Sequence, residues 1–229
     1  MRTGVSIVMD TSHSPLLIGV EKNGQIFKAR RSGIKQEKLL FAVLNRLLGK
    51  AGANLQEISR IFIIRGPGRF TGIRIALTFA SMLGMLNKCE IKGATLFEVI
   101  YHQVLASRAY KVWKKSHPDG VIAVVLHAFR EEYFLQIFDT KNTSPRWLSR
   151  EELVTVLAAS TKDLLVAGTD KDFAPLDHLL GQSYALAPYQ VCRVQAKTLF
   201  ALAQQSNWTR QALEPLYLKP ARFELEAPK

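Results

Sequence analysis

Between the apolar run Ile61-Phe62-Ile63-Ile64 and the long, proline-free apolar stretch Ile75 to Leu86 stands the segment Arg65-Gly66-Pro67-Gly68-Arg69-Phe70-Thr71-Gly72-Ile73-Arg74. The upstream run has the β-rich character of a strand buried on both faces, and the downstream stretch has the length of a helix. A chain that goes from strand through glycines into a helix within ten residues is building an α/β unit. Such a turn serves either anion binding or close packing. Its glycines permit positive φ and near approach of other backbone, and Thr71 is placed to cap the helix and leave its first amides pointing outward.

Two phosphate-binding patterns can be tested against this turn. A P-loop requires lysine and then serine or threonine after its last glycine, whereas Gly72 is followed by Ile73 and Arg74. The dinucleotide fingerprint requires two residues between its second and third glycines, whereas Arg69, Phe70 and Thr71 separate Gly68 from Gly72. Neither pattern fits.

With 229 residues, 48% of them hydrophobic and 22% charged, the chain can bury one core or two small ones. No run approaches the roughly 20 apolar residues of a membrane span, and Met1-Arg2-Thr3-Gly4 does not begin a secretory signal, so an intracellular, cytoplasmic location is expected. Cys89 and Cys192 are far apart and lack partners at metal spacing, and both are read as reduced. The formal charge of +12 is uneven, with 15 Lys and Arg against 6 Asp and Glu in residues 1 to 105 and 16 against 13 thereafter. Such a field favours RNA or an acidic protein as partner, although solvated basic faces account for it equally well.

The opening reads as three strands, Val5 to Met9, Pro15 to Val20 and Gln25 to Ala29, with Asn23-Gly24 as a two-residue hairpin turn. Leu39, Leu40, Val43, Leu44, Leu47 and Leu48 then form one apolar stripe of a helix from Lys38 to Lys50, closed by Gly49 and Gly52. After the glycine turn and second helix come a short strand at Glu90 to Lys92 and a third helix from Leu96. The polar segment Lys111 to Gly120 is the expected boundary, dividing the chain into residues 1–110 and 111–229. Beyond it, Val121 to His127 and Tyr133 to Phe138 read as paired strands, Glu151 to Ala159 as a helix, Leu164 to Ala167 as a strand and Ala196 to Gln205 as a late helix. Glu224 to Lys229 is expected to fray.

Asp10-Thr11-Ser12 ends the first strand, at the sheet edge where α/β proteins bind ligands. A carboxylate and two hydroxyls there suit a metal-bound water or phosphate, and they equally suit an Asx turn. In the second helix, Gly72, Ala76, Ala80 and Gly84 recur every fourth residue. That small-residue stripe allows the helix either to lie wholly buried or to meet a partner, with Leu77 and Leu83 beside it. His13, His102, His117, His127 and His178 include no pair at three- or four-residue spacing, so no helix presents two imidazoles to one metal. No metal site and no catalytic residue is assigned.

Taken together, Asp10-Thr11-Ser12, the three-strand opening, the segment Arg65 to Arg74, and Gly93-Ala94-Thr95-Leu96-Phe97-Glu98 resemble the TsaB (YeaZ) family over roughly residues 5 to 105. Pro215-Leu216-Tyr217-Leu218-Lys219 looks like the closing signature of that family. The resemblance implies an actin-like ASKHA fold of two α/β lobes, the second smaller and degenerate. It further implies a non-catalytic scaffold for forming N6-threonylcarbamoyladenosine beside the anticodon of ANN-decoding tRNAs. In that picture the chain pairs with a TsaD-type transferase and a TsaE-type ATPase, meets tRNA through the complex, also pairs with itself, and needs no cofactor because ATP and magnesium belong to its partners. The resemblance also tips the stripe of Gly72, Ala76, Leu77, Ala80, Leu83 and Gly84 towards a partner interface. It leaves Asp10, Thr11, Ser12, Gly66, Pro67, Gly68, Arg69, Phe70, Thr71 and Arg74 as motif or ligand residues. Arg69 replaces the usual serine and Lys35-Gln36 the usual His-Ser pair, both adding charge. Arg65, Arg69 and Arg74 are then candidates for docking an acidic surface or tRNA phosphate. Two rivals remain, an ASKHA-type small-molecule kinase using Asp10-Thr11-Ser12 for phosphate and magnesium, and a stand-alone RNA-binding module, which lacks any RRM, KH or double-stranded-RNA signature.

Overall fold

In the computed structural model, residues 4–13, 15–32, 36–139, 144–171, 174–181, 183–205 and 213–219 are described. The expected fraying of Glu224 to Lys229 and the departure at Lys35 lie outside them. The chain divides into two compact units, Met1–Val99 with Val194–Leu216, and Ile100–Arg193 with Tyr217–Lys229.

The first unit is a mixed five-stranded sheet in the order β3-β2-β1-β4-β5. Its strands are β1 (Val5–Asp10), β2 (Leu16–Lys22), β3 (Gln25–Arg31), β4 (Ile58–Ile64) and β5 (Glu90–Ala94). β1 pairs antiparallel with β2 and parallel with β4. The β2–β3 turn is set by Asn23 and Gly24, both at positive φ (53° and 77°), the twist a two-residue hairpin requires. Helices α1 (Gln36–Lys50) and α2 (Phe70–Asn87) cover one face, burying Leu40, Val43, Leu44, Leu47, Leu48, Ile73, Ala76 and Ala80 against Val5, Ile7, Met9, Ile18, Ile61 and Ile63. On the other face Gly19 lies against Phe200 of helix α7 (Ala196–Ala203). Ile61, Phe62, Ile63 and Ile64 are all buried, as expected of a strand covered on both sides. Gly49 lies within α1, which ends at Lys50, and Gly52 at φ 58° turns the chain beyond it.

The second unit repeats the plan. Its strands are β6 (Val121–Phe129), β7 (Glu132–Phe138), β8 (Arg146–Ser149), β9 (Leu164–Thr169) and β10 (Ala185–Leu186), in the order β10-β9-β6-β7-β8. Counted within each unit, both sheets therefore run third, second, first, fourth, fifth. The same two antiparallel and two parallel pairings recur. α5 (Arg150–Ala158) and the short α6 (Asp177–Leu180) pack Leu153, Leu157, Leu179 and Leu180 on Ala123, Val125, Leu135 and Val166. Two mixed α/β sheets of one topology agree with the expected two-lobed, actin-like architecture.

α3 (Leu96–Leu105) begins at a capping box in which the Thr95 amide donates to the Glu98 carboxylate and the Glu98 amide donates to Thr95 Oγ1. The sequence Thr95-Leu96-Phe97-Glu98 is thereby explained as a helix start. The polar segment expected to separate the halves is in large part a helix, α4 (Arg108–Ser116). An expected boundary at 110/111 falls inside it, and the first unit is completed by residues from beyond 193.

Among the described residues, one helix, Phe70–Asn87, is long and apolar enough to cross a membrane by length and composition alone. Its inner face packs on the first sheet, and Phe70, Met82, Met85 and Leu86 add an exposed apolar outer face.

Candidate functional site

The glycine turn and the tripeptide after β1 form one structure. Thr11 Oγ1 donates to the Gly72 carbonyl at 2.6 Å, and the Arg69 amide donates to the Ser12 carbonyl at 2.7 Å. A Cβ on Gly68 would stand 2.4 Å from the Ser12 carbonyl oxygen, so no side chain fits there. Gly66 has φ 120°, and a Cβ on it would stand 2.5 Å from the Leu216 carbonyl oxygen. The Gly66 carbonyl accepts from the Leu96 amide at 2.7 Å, and the Leu216 amide donates to the Arg65 carbonyl at 2.8 Å. Gly66-Pro67 is a cis peptide. The turn thus gathers the end of β1, the start of α3 and the segment around Leu216.

Asp10, Thr11 and Ser12 are all buried. Asp10 Oδ1 accepts from both the amide (2.9 Å) and the hydroxyl (2.6 Å) of Ser12, the Asx-turn arrangement. Ser12 Oγ also lies 3.1 Å from His13 Nδ1. Asp10 Oδ1 and the two hydroxyls of this tripeptide are thus engaged within the chain, where they fix backbone. His102, His117, His127 and His178 are scattered over α3, the end of α4, β6 and α6.

The expectation for Thr71 is corrected. α2 starts one residue earlier, with Arg69 in extended conformation as its N-cap and no side-chain capping bond, and Thr71 is an exposed residue of the first turn. The cause is the Arg69–Ser12 backbone bond, which fixes the chain direction before Thr71 is reached.

The stripe expected to meet a partner is also corrected. Gly72, Ala76, Leu77, Ala80 and Leu83 are buried within the first unit. Gly84 is partly buried, and a Cβ on it would stand 2.6 Å from Ile91 Cδ1 on β5. Small residues here allow α2 to lie close on its own sheet. What α2 presents outward is Phe70, Thr71, Arg74, Thr78, Met82, Met85 and Leu86, spaced at helical period. Met85 is 83% exposed and Leu86 72%. Phe41 of α1, half exposed, meets Phe79 edge-on at 4.9 Å and continues this apolar surface. Between the two helices runs an open groove of about 490 Å³ whose walls include Phe41, Phe70, Phe79 and Met82. The Arg74 guanidinium lies 3.8 Å from the centre of the Phe70 ring. Arg65 instead turns inward, donating to the Glu214 carbonyl at 3.2 Å.

In the second unit, Cys192 is buried with its Sγ accepting from the Gly168 amide at 3.2 Å, and burial pushes its thiol up to about 11. Burial likewise raises the Cys89 thiol. Neither is an activated nucleophile.

Comparisons with known proteins agree with this architecture. A family model described as "TsaD: tRNA N6-adenosine threonylcarbamoyltransferase" matches residues 34–115. The chain is 26% identical over 112 residues to the tRNA threonylcarbamoyladenosine biosynthesis protein TsaB of Buchnera aphidicola subsp. Schizaphis graminum, covering 48% of this chain and 51% of that protein. It is 25% identical over 138 residues to the TsaB protein of Bacillus subtilis strain 168, covering 59% and 56%. The chain therefore spans between half and two thirds of the length of these curated relatives. YeaZ from Pseudomonas aeruginosa shares the fold, with a TM-score of 0.67 at 22% identity over 94% of this chain and 100% of that one. The chain is thus similar in sequence to TsaB proteins over about half of its length, and it shares the fold of YeaZ.

Proposed function

We propose that this chain acts in the biosynthesis of threonylcarbamoyladenosine in tRNA, as a non-catalytic subunit that pairs with a TsaD-type transferase in the cytoplasm. The observation that carries the reading is the exposed apolar face of α2 and α1, from Phe41 and Phe70 through Met82 to Met85 and Leu86, in a chain whose sequence relatives are TsaB proteins. Apolar surface left in water on a helix that already has a packed inner face is suited to a second helical surface. A TsaE-type ATPase completes the working complex, tRNA is met through it, and ATP and magnesium are used by the partners, with no cofactor needed by this chain. Self-pairing through the same apolar face competes with the transferase.

A kinase built on Asp10-Thr11-Ser12 is the poorer reading, because all three residues are buried and Asp10 Oδ1 and both hydroxyls are bonded within the chain. The test is reconstitution. The purified chain, its TsaD-type and TsaE-type counterparts from the same organism, tRNA, ATP and a preformed activated donor, threonylcarbamoyl-adenylate, are combined, and modified nucleoside is measured with and without the chain. Loss of product when the chain is omitted is expected. Product formed equally well without it overturns the proposal, and ATP turnover by the isolated chain on small hydroxylated substrates favours the kinase.

A further inference from the structure

The helix that the sequence disguised as a polar linker carries charge with no structural purpose. α4 reads Arg108-Ala109-Tyr110-Lys111-Val112-Trp113-Lys114-Lys115-Ser116, four cations and no acid in nine residues. Lys114 is engaged, donating to the Gly120 carbonyl at 2.6 Å. Tyr110 and Trp113 turn towards the protein, with the Trp113 ring stacked on His117 at 4.8 Å and Gly120 fitted closely beneath it. This leaves Arg108, Lys111, Val112 and Lys115, at i, i+3, i+4 and i+7, as the exposed ridge of the helix. Among the described residues, the side chains of Arg108, Lys111 and Lys115 make no ion pair.

Helix stability argues against this arrangement. Lys111 and Lys115 are like charges four residues apart, and Arg108 stands three residues before Lys111, both repulsive spacings. Arg108 also occupies the first turn, where the helix dipole favours an acid. α5 of the same unit obeys that preference with Glu151 and Glu152, and α4 has no acid there. Only the cations of the last turn agree with the dipole. The repulsion is relieved when the ridge faces a polyanion.

The geometry points to the phosphate backbone of RNA as that polyanion, and we propose that the Arg108, Lys111 and Lys115 ridge of α4 is a phosphate-contacting surface. The three cations spread over about 10 Å along the helix at its rise of 1.5 Å per residue. The ridge carries one aliphatic residue, Val112, and no aromatic ring, so it has no base-stacking platform and contacts backbone without reading sequence. A membrane surface is a poorer fit, since Tyr110 and Trp113 face the unit of α4 itself and Val112 is the one aliphatic side chain its ridge could insert into a bilayer. Naming the RNA as tRNA rests on the function proposed above; the phosphate contact itself does not.

The test measures affinity of the full chain for unmodified tRNA from 50 to 300 mM NaCl. The variant R108Q/K111Q/K115Q is compared with K28Q/K50Q/K197Q, which removes the same charge from exposed lysines elsewhere. The ridge variant is expected to lose at least tenfold in affinity at 100 mM salt and to lower the slope of log K against log salt by about two to three, at about 0.7 to 0.9 per phosphate contact. R108K/K111R/K115R retains binding. The ridge variant is expected to melt no lower than wild type, since its removal relieves repulsion. An equal loss in the control variant, or no loss in the ridge variant, overturns the proposal. Stronger loss of binding to vesicles containing phosphatidylserine than to tRNA overturns the choice of RNA. If the ridge variant loses tRNA affinity while modified nucleoside forms without the chain at all, the functional proposal fails and the phosphate surface stands.

Discussion

The hydroxyl of Thr11 donates to the carbonyl of Gly72 across sixty-one residues of sequence, at 2.6 Å and without access to solvent. This bond ties the end of the first strand to the first turn of the helix that follows the glycine turn. Four bonds of that neighbourhood, from Thr11, Arg69, Leu96 and Leu216, converge within a few residues. Glycine is needed there because backbone must approach backbone.

Gly68→Ala is therefore expected to destabilise the protein by about 1–3 kcal/mol, since its methyl group meets the Ser12 carbonyl rather than a movable side chain. Gly49→Ala, in the last turn of α1 with open space around its Cβ, is expected to stabilise by about 0.4–1 kcal/mol. Urea unfolding of both variants measures the contrast, and similar effects of one sign refute the packing explanation of the turn.

The two faces of α2 separate packing from pairing. Ala80→Glu buries an unpaired charge in the first core and is expected to cost about 4–5 kcal/mol or more. Met82→Glu, on the exposed face, is expected to stay within about 0.5 kcal/mol of wild type while abolishing co-purification with a TsaD-type protein. A Met82→Glu variant that still pairs normally removes this face from the interface.

Cys192 predicts a loss of stability in alkali. Its thiol is held protonated in the folded chain up to about 11, against about 9 unfolded. The contribution is thus complete below pH 9 and disappears as pH rises towards 11, where the unfolded chain binds fewer protons than the folded one. Measured by urea unfolding at pH 8, 9.5 and 11, wild type should lose up to about 2–3 kcal/mol more than Cys192→Ala over this range. A constant difference between the two proteins counts against the burial cause.

Acid sensitivity is expected at Glu57, whose carboxyl is held below the usual carboxylate range first by the Lys22 ammonium and then by the Asn54 amide it accepts from. A lowered folded-state value means stability present above the ordinary carboxylate pKa and lost as pH falls through the folded one. An NMR titration of the Glu57 carboxyl should shift back towards the ordinary value in Lys22→Met. No shift would assign the effect to the Asn54 capping box alone.

The first sheet and its two covering helices were legible because each carried a periodic or continuous apolar pattern, as in Leu40 to Leu48 and Ile61 to Ile64. The face of α2 was not. Small residues at every fourth position permit close approach to a sheet and to a partner alike, and the burial of Gly72, Ala76 and Ala80 with the nearness of Gly84 to Ile91 decides between them. α4 escaped because none of its residues is fully buried, so lysines dominated the pattern while Trp113 and Tyr110 did the packing. The strands β8 and β10 are too short to carry a period. The junction of Gly68 with Ser12 joins distant segments, and no local signal announces such a contact, although Thr95-x-x-Glu98 could have been read as a capping box.

The first unit is not one continuous stretch of chain. Its sheet is finished on one side by α7, with Phe200 seated against Gly19, and its glycine turn by Leu216. A ribosome releases β1 some two hundred residues before it releases these last pieces. The N-terminal lobe therefore cannot reach its final form as it emerges, contrary to the usual order of synthesis and folding. Nascent chains arrested before residue 194 should leave the Gly19 side of the first sheet without the cover that α7 provides.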